Sequence, residues 1–348
     1  MREPGEGDMR MRARGLVNLR AVLAPVAAGM CVMAAAAAVL VPSLGGGAGE
    51  DGPGRGGAAA PAVTHRAYGP GAGRPAVAKC TARNAAESRR PSPDDGAAVS
   101  RIKEKGQLVV GVDQNTYRWG YRNPATGELE GFDIELARAV AEDILGPHPK
   151  VVFKAVPTSQ RIPALQRRTV DLVVRTMTIN CARKEQVAFS TAYFQAGQQV
   201  LAPKASKVTA FDDSLRGKRV CTAAGSTGES ELSARRHGAK VLTVPNQLDC
   251  LVRLQLGEAD AVVTDNALAA AQAAQDPAVE LKGKPFTDEP YGVAMNKGDT
   301  DLVRRVNKVL DDYRGDGGAD SRWMRAYRTW LEDDLPGISG PPSPEYSD

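Results

Sequence analysis

Between Arg101 and Leu335 the hydrophobic positions follow two alternating patterns. Short apolar runs end in Gly, Asp or a polar turn: QLVVGV at 107–112, KVVFKAV at 150–156, DLVV at 171–174, KRVCTAAGS at 218–226, KVLTV at 240–244 and ADAVVTD at 259–265. Such runs read as buried strands. Helical stripes lie between them. From Phe132 to Leu145 the apolar residues Ile134, Ala137, Val140, Ala141 and Ile144 recur at helical spacing. Further helices are predicted at 161–166, 229–236, 249–256, 301–313 and 321–331. The stripe Trp323, Tyr327 and Trp330 in the last of these reads as core packing. Strands alternating with helices predict parallel sheets with right-handed crossovers. There are two such blocks, hence two α/β lobes. The extended segments QQVLAPK (198–204) and EPYGVAMNK (289–297) bracket the second block. The first lobe is therefore predicted at 101–199 and 292–335, interrupted by the second at 200–291, with two crossings between them.

The flanks have a different character. Arg2, Arg10, Arg12, Arg14 and Arg20 precede an apolar run from Ala21 to Leu44, and no charge follows until Glu50. A run of this size can span a bilayer core of ~30 Å. The basic side belongs in the cytoplasm, so the rest of the chain is expected outside. The segment 21–44 reads as a transmembrane anchor or as a cleaved signal, with 1–20 as a cytoplasmic basic segment. Cys31 within it reads as an inert membrane cysteine, because Met30 is too large for the position before a lipid-modified one. Residues 45–100 are rich in Gly, Ala and Pro and read as a disordered linker. The Pro-rich stretch 336–348 reads as a flexible tail.

Composition narrows the function. A net charge of +4 is too small and too scattered to favour nucleic acid. Only 5% of residues are aromatic, which disfavours an aromatic-lined sugar or membrane-surface binder. Cys80, Cys181, Cys221 and Cys250 form an even set beyond the apolar run, which outside the cytoplasm suggests disulfides. No C-x-x-C occurs and there are three His, so neither a metal site nor another cofactor is expected.

In open α/β sheets ligands sit at the carboxyl ends of the strands. Here those ends are 113–118, 175–180, 225–228, 245–249 and Asp265. They supply Arg, Thr, Ser, Asn and Asp beside helix starts, a mixture suited to a zwitterion bearing extra charge.

Five blocks carry a family resemblance: GELEGFDIELARAVAEDI, TSQRIPALQRRTVDLVVRTMTINCARKEQVAFSTAYFQAGQQVL, LRGKRVCTAAGSTGESEL, LGEADAVVTDNAL and KPFTDEPYGVAMNKGDTDL. In this order they resemble extracytoplasmic solute-binding proteins of family 3, the polar amino-acid receptors of ABC importers. The likeness is greatest to actinobacterial glutamate, glutamine and aspartate binders. It implies a two-lobed periplasmic-binding-protein-like (type II) α/β fold that closes on its ligand. It also implies a membrane permease as partner, action as a monomer on the outer face of the cell membrane, and no enzymatic activity. Arg183 matches the arginine that clamps the ligand α-carboxylate, a task suited to a guanidinium fork. Thr176 and Thr178 match positions that offer hydroxyl or backbone groups. Ser226 and Thr227 match the turn whose amides meet the same carboxylate at a helix start. Asp265 matches the acid that pairs with the α-ammonium, although the same Asp suits a helix N-cap. Arg161 and Arg175 are candidates for a ligand side-chain carboxylate, which points to glutamate first, then glutamine or aspartate. Tyr117 is the candidate aromatic platform, with Trp119 and Tyr121 open beside it. Cys181 and Ala182 depart from the polar or acidic residues common there. With Cys181 in one lobe and Cys221 in the other, a bond between them would oppose closure. Cys221–Cys250 and Cys80–Cys181 are therefore the expected pairs. Two rivals stand beside the receptor. One is an anchored sensor acting on a signalling partner. The other is an enzyme of the cyclohexadienyl dehydratase kind, disfavoured because His65, His148 and His237 all lie away from strand ends.

Overall fold

The computed structural model describes residues 79–348. The basic segment 1–20, the anchor or signal at 21–44 and most of the linker expected at 45–100 lie outside them. Among the described residues no helix is long and apolar enough to cross a membrane.

The chain opens with α1 (Ala97–Lys105) and β1 (Leu108–Val112), followed by three short strands, β2 (Asn115–Thr116), β3 (Gly120–Arg122) and β4 (Leu129–Glu130). Next come α2 (Phe132–Leu145), β5 (Val151–Ala155), α3 (Arg161–Gln166), β6 (Leu172–Val173), α4 (Cys181–Lys184), β7 (Val187–Phe189) and β8 (Phe194–Ala196). The second lobe is built from β9 (Gln198–Pro203), β10 (Arg219–Ala223), α5 (Thr227–Ala234), β11 (Lys240–Val244), α6 (Gln247–Gln255), β12 (Ala261–Asp265), α7 (Asn266–Gln275) and β13 (Val279–Lys282). The return runs through β14 (Glu289–Tyr291) and β15 (Ala294–Asn296) to α8 (Thr300–Arg314) and α9 (Arg322–Trp330).

Each lobe has one five-stranded sheet, ordered β5-β1-β6-β15-β7 in the first and β11-β10-β12-β9-β13 in the second. The strands that follow one another through helices pair in parallel: β1 with β5 and β6, and β10 with β11 and β12. Strands covered on both faces read as unbroken apolar runs. AVVTD in β12 is buried at every position, and each Val withdrawn from water there contributes about 1.5–3 kcal/mol. The strands nearest the crossings enter antiparallel, β9 beside β12 and β15 beside β6. The crossings themselves pair as a small sheet of β8 and β14, so the two connections between the lobes brace each other. The extended segment 289–297 thus divides, its first half forming the hinge and its second half joining the first sheet.

The first lobe packs its core around Phe132, Trp119, Tyr193, Phe194 and Tyr291, with Trp323 and Tyr327 of α9 buried against them. The Trp323 indole N–H donates to the Tyr193 carbonyl at 2.7 Å; Trp323 and Tyr327 of the stripe are core, and Trp330 packs half-buried at its edge. Covalent ties join Cys80 to Cys181 and Cys221 to Cys250, with Cα separations of 5.6 and 5.5 Å.

Two edges differ from the sequence reading. Part of the linker expected at 45–100 is held in place, because Cys80 is tied to α4 and Asn307 Nδ2 donates to Ser88 Oγ at 2.9 Å. The segment 336–348 is held, too. The Ser347 amide donates to the Ser88 carbonyl at 2.9 Å, and the Tyr346 hydroxyl to Asp311 at 2.6 Å. Polar bonds and one disulfide hold both segments, and their few apolar anchors, Ala98, Val99 and Ile338 among them, form no continuous stripe that hydropathy could mark.

Candidate functional site

The site grows out of local conformations at the strand ends. After β6 the chain turns through Arg175–Thr178. Thr176 adopts φ 38°, in the left-handed region that costs a non-glycine residue energy. Its amide donates to Asp133 Oδ2 at 2.9 Å, which holds the turn in place. Asn180 then caps α4 by accepting the Arg183 amide at 2.9 Å, and this fixes the backbone from which the Arg183 side chain leaves. In the second lobe β10 ends in a turn at Gly225. Ser226 caps α5 by accepting the Glu229 amide at 3.1 Å, while Glu229 Oε2 accepts the Gly225 amide at 2.8 Å, a variant of the reciprocal capping box.

These ends converge on a narrow cavity of about 10 Å³ lined by Thr158, Arg161, Arg175, Thr176, Thr178 and Arg183 from the first lobe. Ser226, Thr227, Gln247, Asp265 and Leu268 line it from the second. Of the sequence candidates, eight meet here: Arg161, Arg175, Thr176, Thr178, Arg183, Ser226, Thr227 and Asp265. Tyr117 is not among the lining residues; it is half-buried, edge-on to Tyr121 at 5.1 Å, with the Arg118 guanidinium 5.3 Å from its ring. Arg118 itself pairs with Asp333 and Asp334. A more open groove beside Arg122, Arg138 and Phe153 gathers no comparable set of buried polar groups.

The three arginines are not equivalent. Arg175, 2% exposed, pairs with Asp113 at 2.9 Å and donates to Thr158 Oγ1 at 3.0 Å. Its charge is thus matched inside the protein, and its candidacy for a ligand carboxylate weakens accordingly. Arg161 donates only to carbonyls, those of Thr158 (2.9 Å), Arg175 (3.4 Å) and Gly225 (3.4 Å). Arg183 likewise donates to the carbonyls of Thr178 (2.8 Å) and Gly225 (3.2 Å). Burial holds the Arg161 guanidinium well below its usual range, helped by the charges of Arg183 and Arg175. Burial also lowers that of Arg183, against the pull of Glu289 and Asp265. Among the described residues neither of these two buried cations forms an ion pair, although the charges of Asp265 and Glu289 act on Arg183.

The acids complement them. Asp265 ends β12 and precedes α7, yet its carboxylate makes no capping bond. It accepts instead from the Tyr291 hydroxyl at 2.7 Å and from the Gln198 amide. Burial and the neighbouring Glu289 charge push its carboxyl up to about 7. The same burial pushes the Tyr291 hydroxyl far up.

Sequence reasoning singled out neither Thr158, Gln247 and Leu268 in the lining nor Gln198 and Glu289 around it, and it placed Asp113 in the strand-end interval 113–118 without giving it a role. Gln247 falls within the strand-end interval 245–249, so the topological rule points to it. Its Oε1 is buried without a partner. Glu289 and Gln198 sit on the crossings, where that rule gives no signal. Among the described residues no cluster of His, Cys, Asp and Glu could hold a metal ion.

Comparison with known proteins places this geometry in context. The profile of bacterial extracellular solute-binding proteins, family 3, matches residues 108–333. The ABC transporter glutamine-binding protein GlnH of Bacillus subtilis (strain 168) is 39% identical over 248 residues, which are 71% of this chain and 89% of the relative. An ancestral arginine-binding protein solved with glutamine bound is 37% identical with a TM-score of 0.60, over 65% of this chain and 98% of that one. The ancestral amino acid-binding protein AncCDT-1, described as a precursor of cyclohexadienyl dehydratase, is 33% identical with a TM-score of 0.61, over 68% and 100%.

Proposed function

The chain belongs to the bacterial extracellular solute-binding proteins of family 3, and from that premise we propose that it is the receptor for an L-amino acid of the glutamine and glutamate class, which it passes to an ABC importer. One observation carries the proposal. Two buried guanidiniums that form no ion pair among the described residues face a buried acid across one small cavity. That arrangement is the complement of an amino-acid zwitterion, since buried charge is tolerated only when it is paired and hydrogen-bonded.

In this reading Arg183 takes the α-carboxylate, supported by Thr178 and by the first-turn amides of α5. Asp265 takes the α-ammonium. Arg161, Thr158 and Gln247 form the remaining wall and meet the end of the side chain. The ligand docks on the first lobe, and the turn at Gly225 closes over it. The Gly225 carbonyl, which accepts from both Arg161 and Arg183, is the contact through which the second lobe senses the first. Closure is favoured only by contacts that exist in the closed form. The closed face is then what the permease recognises. Arg161, Arg183 and Asp265 are each fixed by hydrogen bonds to neighbouring groups, which suits recognition of a solute rather than the enzymatic alternative.

Isothermal titration of the full chain against the twenty proteinogenic amino acids tests this. Glutamine or glutamate is expected to bind more tightly than the others, and silence for both, with asparagine and aspartate silent too, refutes it.

A further inference from the structure

Glu289, at the first residue of β14 on the return crossing, is only 3% exposed. Its Oε2 accepts from the hydroxyl of Thr178 in the first lobe and from that of Thr227 in the second, the latter at 2.9 Å. Its Oε1 accepts from Thr287 Oγ1 at 3.1 Å. One carboxylate therefore gathers hydroxyls from both walls of the cleft. Asp265 is linked to it through a short chain: the Gln198 amide donates to Asp265 and also to Thr227 Oγ1, at 3.0 Å, and Thr227 donates to Glu289.

The charges around this pair can be counted. Arg161 approaches from α3 and Arg183 from α4, and among the described residues neither forms an ion pair. Arg175 is matched by Asp113 at 2.9 Å. Tyr291 reaches Asp265 from β14. Asp133, on α2, is held by the Tyr193 hydroxyl at 2.8 Å, and any ionisation there adds to the negative side. Two unmatched guanidiniums thus stand against the two carboxylates of Asp265 and Glu289. An amino acid of no net charge leaves the closed cleft neutral. An anionic one adds a negative charge for which the described residues lining the cleft offer no further cation, and unpaired buried charge is costly.

Granting the receptor reading above, we propose that Glu289 is a specificity-determining residue. Its charge sets the cleft for polar amino acids of no net charge, glutamine among them, and an anionic one such as glutamate enters only with a proton taken up at Asp265. Near neutral pH that proton is within reach, because burial and the Glu289 charge push the Asp265 carboxyl up to about 7 against the pull of the Tyr291 bond, Arg183 and Arg161. Arg161 and Arg175, which at first sight lean towards an anionic side chain, are outweighed once Asp113 and Glu289 are counted.

Proton counting tests this on the full chain. L-glutamine and L-glutamate are titrated calorimetrically at about pH 7.5 in phosphate and in Tris, whose ionisation enthalpies differ, so the heats report protons exchanged. Glutamate is expected to take up nearly one proton more than glutamine. Glu289→Gln keeps an acceptor for Thr178 and Thr227 but removes the charge; it is expected to erase that difference and to shift the ratio of the two affinities towards glutamate by about tenfold or more. Equal proton counts for the two ligands in the natural protein overturn the proposal, as does an unchanged ratio in a folded Glu289→Gln. The count in the natural protein stands as a test even where the variant does not fold. Absence of binding by any amino acid is a different result: it removes the receptor reading, and this proposal with it.

Discussion

Gly225→Ala isolates the closing contact. Gly225 has φ 76°, which L side chains rarely adopt, and a Cβ placed there would lie 2.9 Å from Ser159 Cα and 3.2 Å from Ser159 Cβ. Ser159 belongs to the 3-10 turn Thr158–Gln160 of the first lobe. The substitution has two effects that separate cleanly. The left-handed conformation costs a residue with a Cβ about 1–2 kcal/mol whether the lobes are open or closed, and so lowers stability. The clash with Ser159 exists only when they are closed. Backbone on the other side cannot swing away as a flexible side chain can, so the penalty falls in the usual overpacking range of about 1–3 kcal/mol. Because only the closed form bears it, it passes into the dissociation constant as a weakening of about 5- to 150-fold. Calorimetric titration with glutamine and glutamate measures the affinity, small-angle scattering with and without ligand measures compaction, and a thermal melt separates the stability effect. An affinity within twofold of the natural protein, with normal compaction on ligand addition, refutes closure at this turn.

Other expectations follow the same reasoning. Arg183→Lys retains charge but loses the planar fork, so binding should weaken by about 10- to 150-fold, the loss of one charge-assisted bond of about 1.5–3 kcal/mol; an unchanged affinity in titration removes Arg183 from the site. The Cys80–Cys181 bridge closes a separation of 101 residues and Cys221–Cys250 one of 29. On chain-entropy grounds their removal should cost about 4.7 and about 3.6 kcal/mol, so urea unfolding of the two double-serine variants should rank them in that order; the reverse order contradicts it. Burial pushes the Asp133 carboxyl up to about 7, as it does that of Asp265. The folded chain therefore keeps protons that the unfolded chain sheds near pH 4, and stability falls as pH rises from about 4 to about 7. Denaturation without ligand should show this decline, Asp133→Asn should flatten it, and a rise across that window contradicts the assignment.

Much of this architecture is legible in the chain because its cause is local. Parallel strands buried on both faces are mostly apolar, so β1, β10 and β12 announce themselves, and the rule that ligands gather at strand ends leads to Thr176, Thr178, Ser226, Thr227 and Asp265. Arg161 and Arg183 carry no such mark; the family likeness supplied them, and the structure brings both to the same cavity. What escaped depends on long-range pairing. Asp113 neutralises Arg175 from across 62 residues of chain, a match that no spacing reveals. Glu289 sits on a crossing whose place at the cleft comes from the β8–β14 pairing. Tyr117 looks like a ligand platform from its position after β1, yet its ring is engaged by Tyr121 and Arg118. The capping role open to Asp265 is absent because Gln198 and Tyr291 engage its carboxylate first.

The crystal structure of the complex with glutamine measures the central claim most directly. The account predicts the ligand between the lobes, its α-carboxylate against the Arg183 guanidinium and its ammonium against the Asp265 carboxylate. A ligand seated elsewhere, or one bound in the cleft with neither side chain touching it, contradicts it.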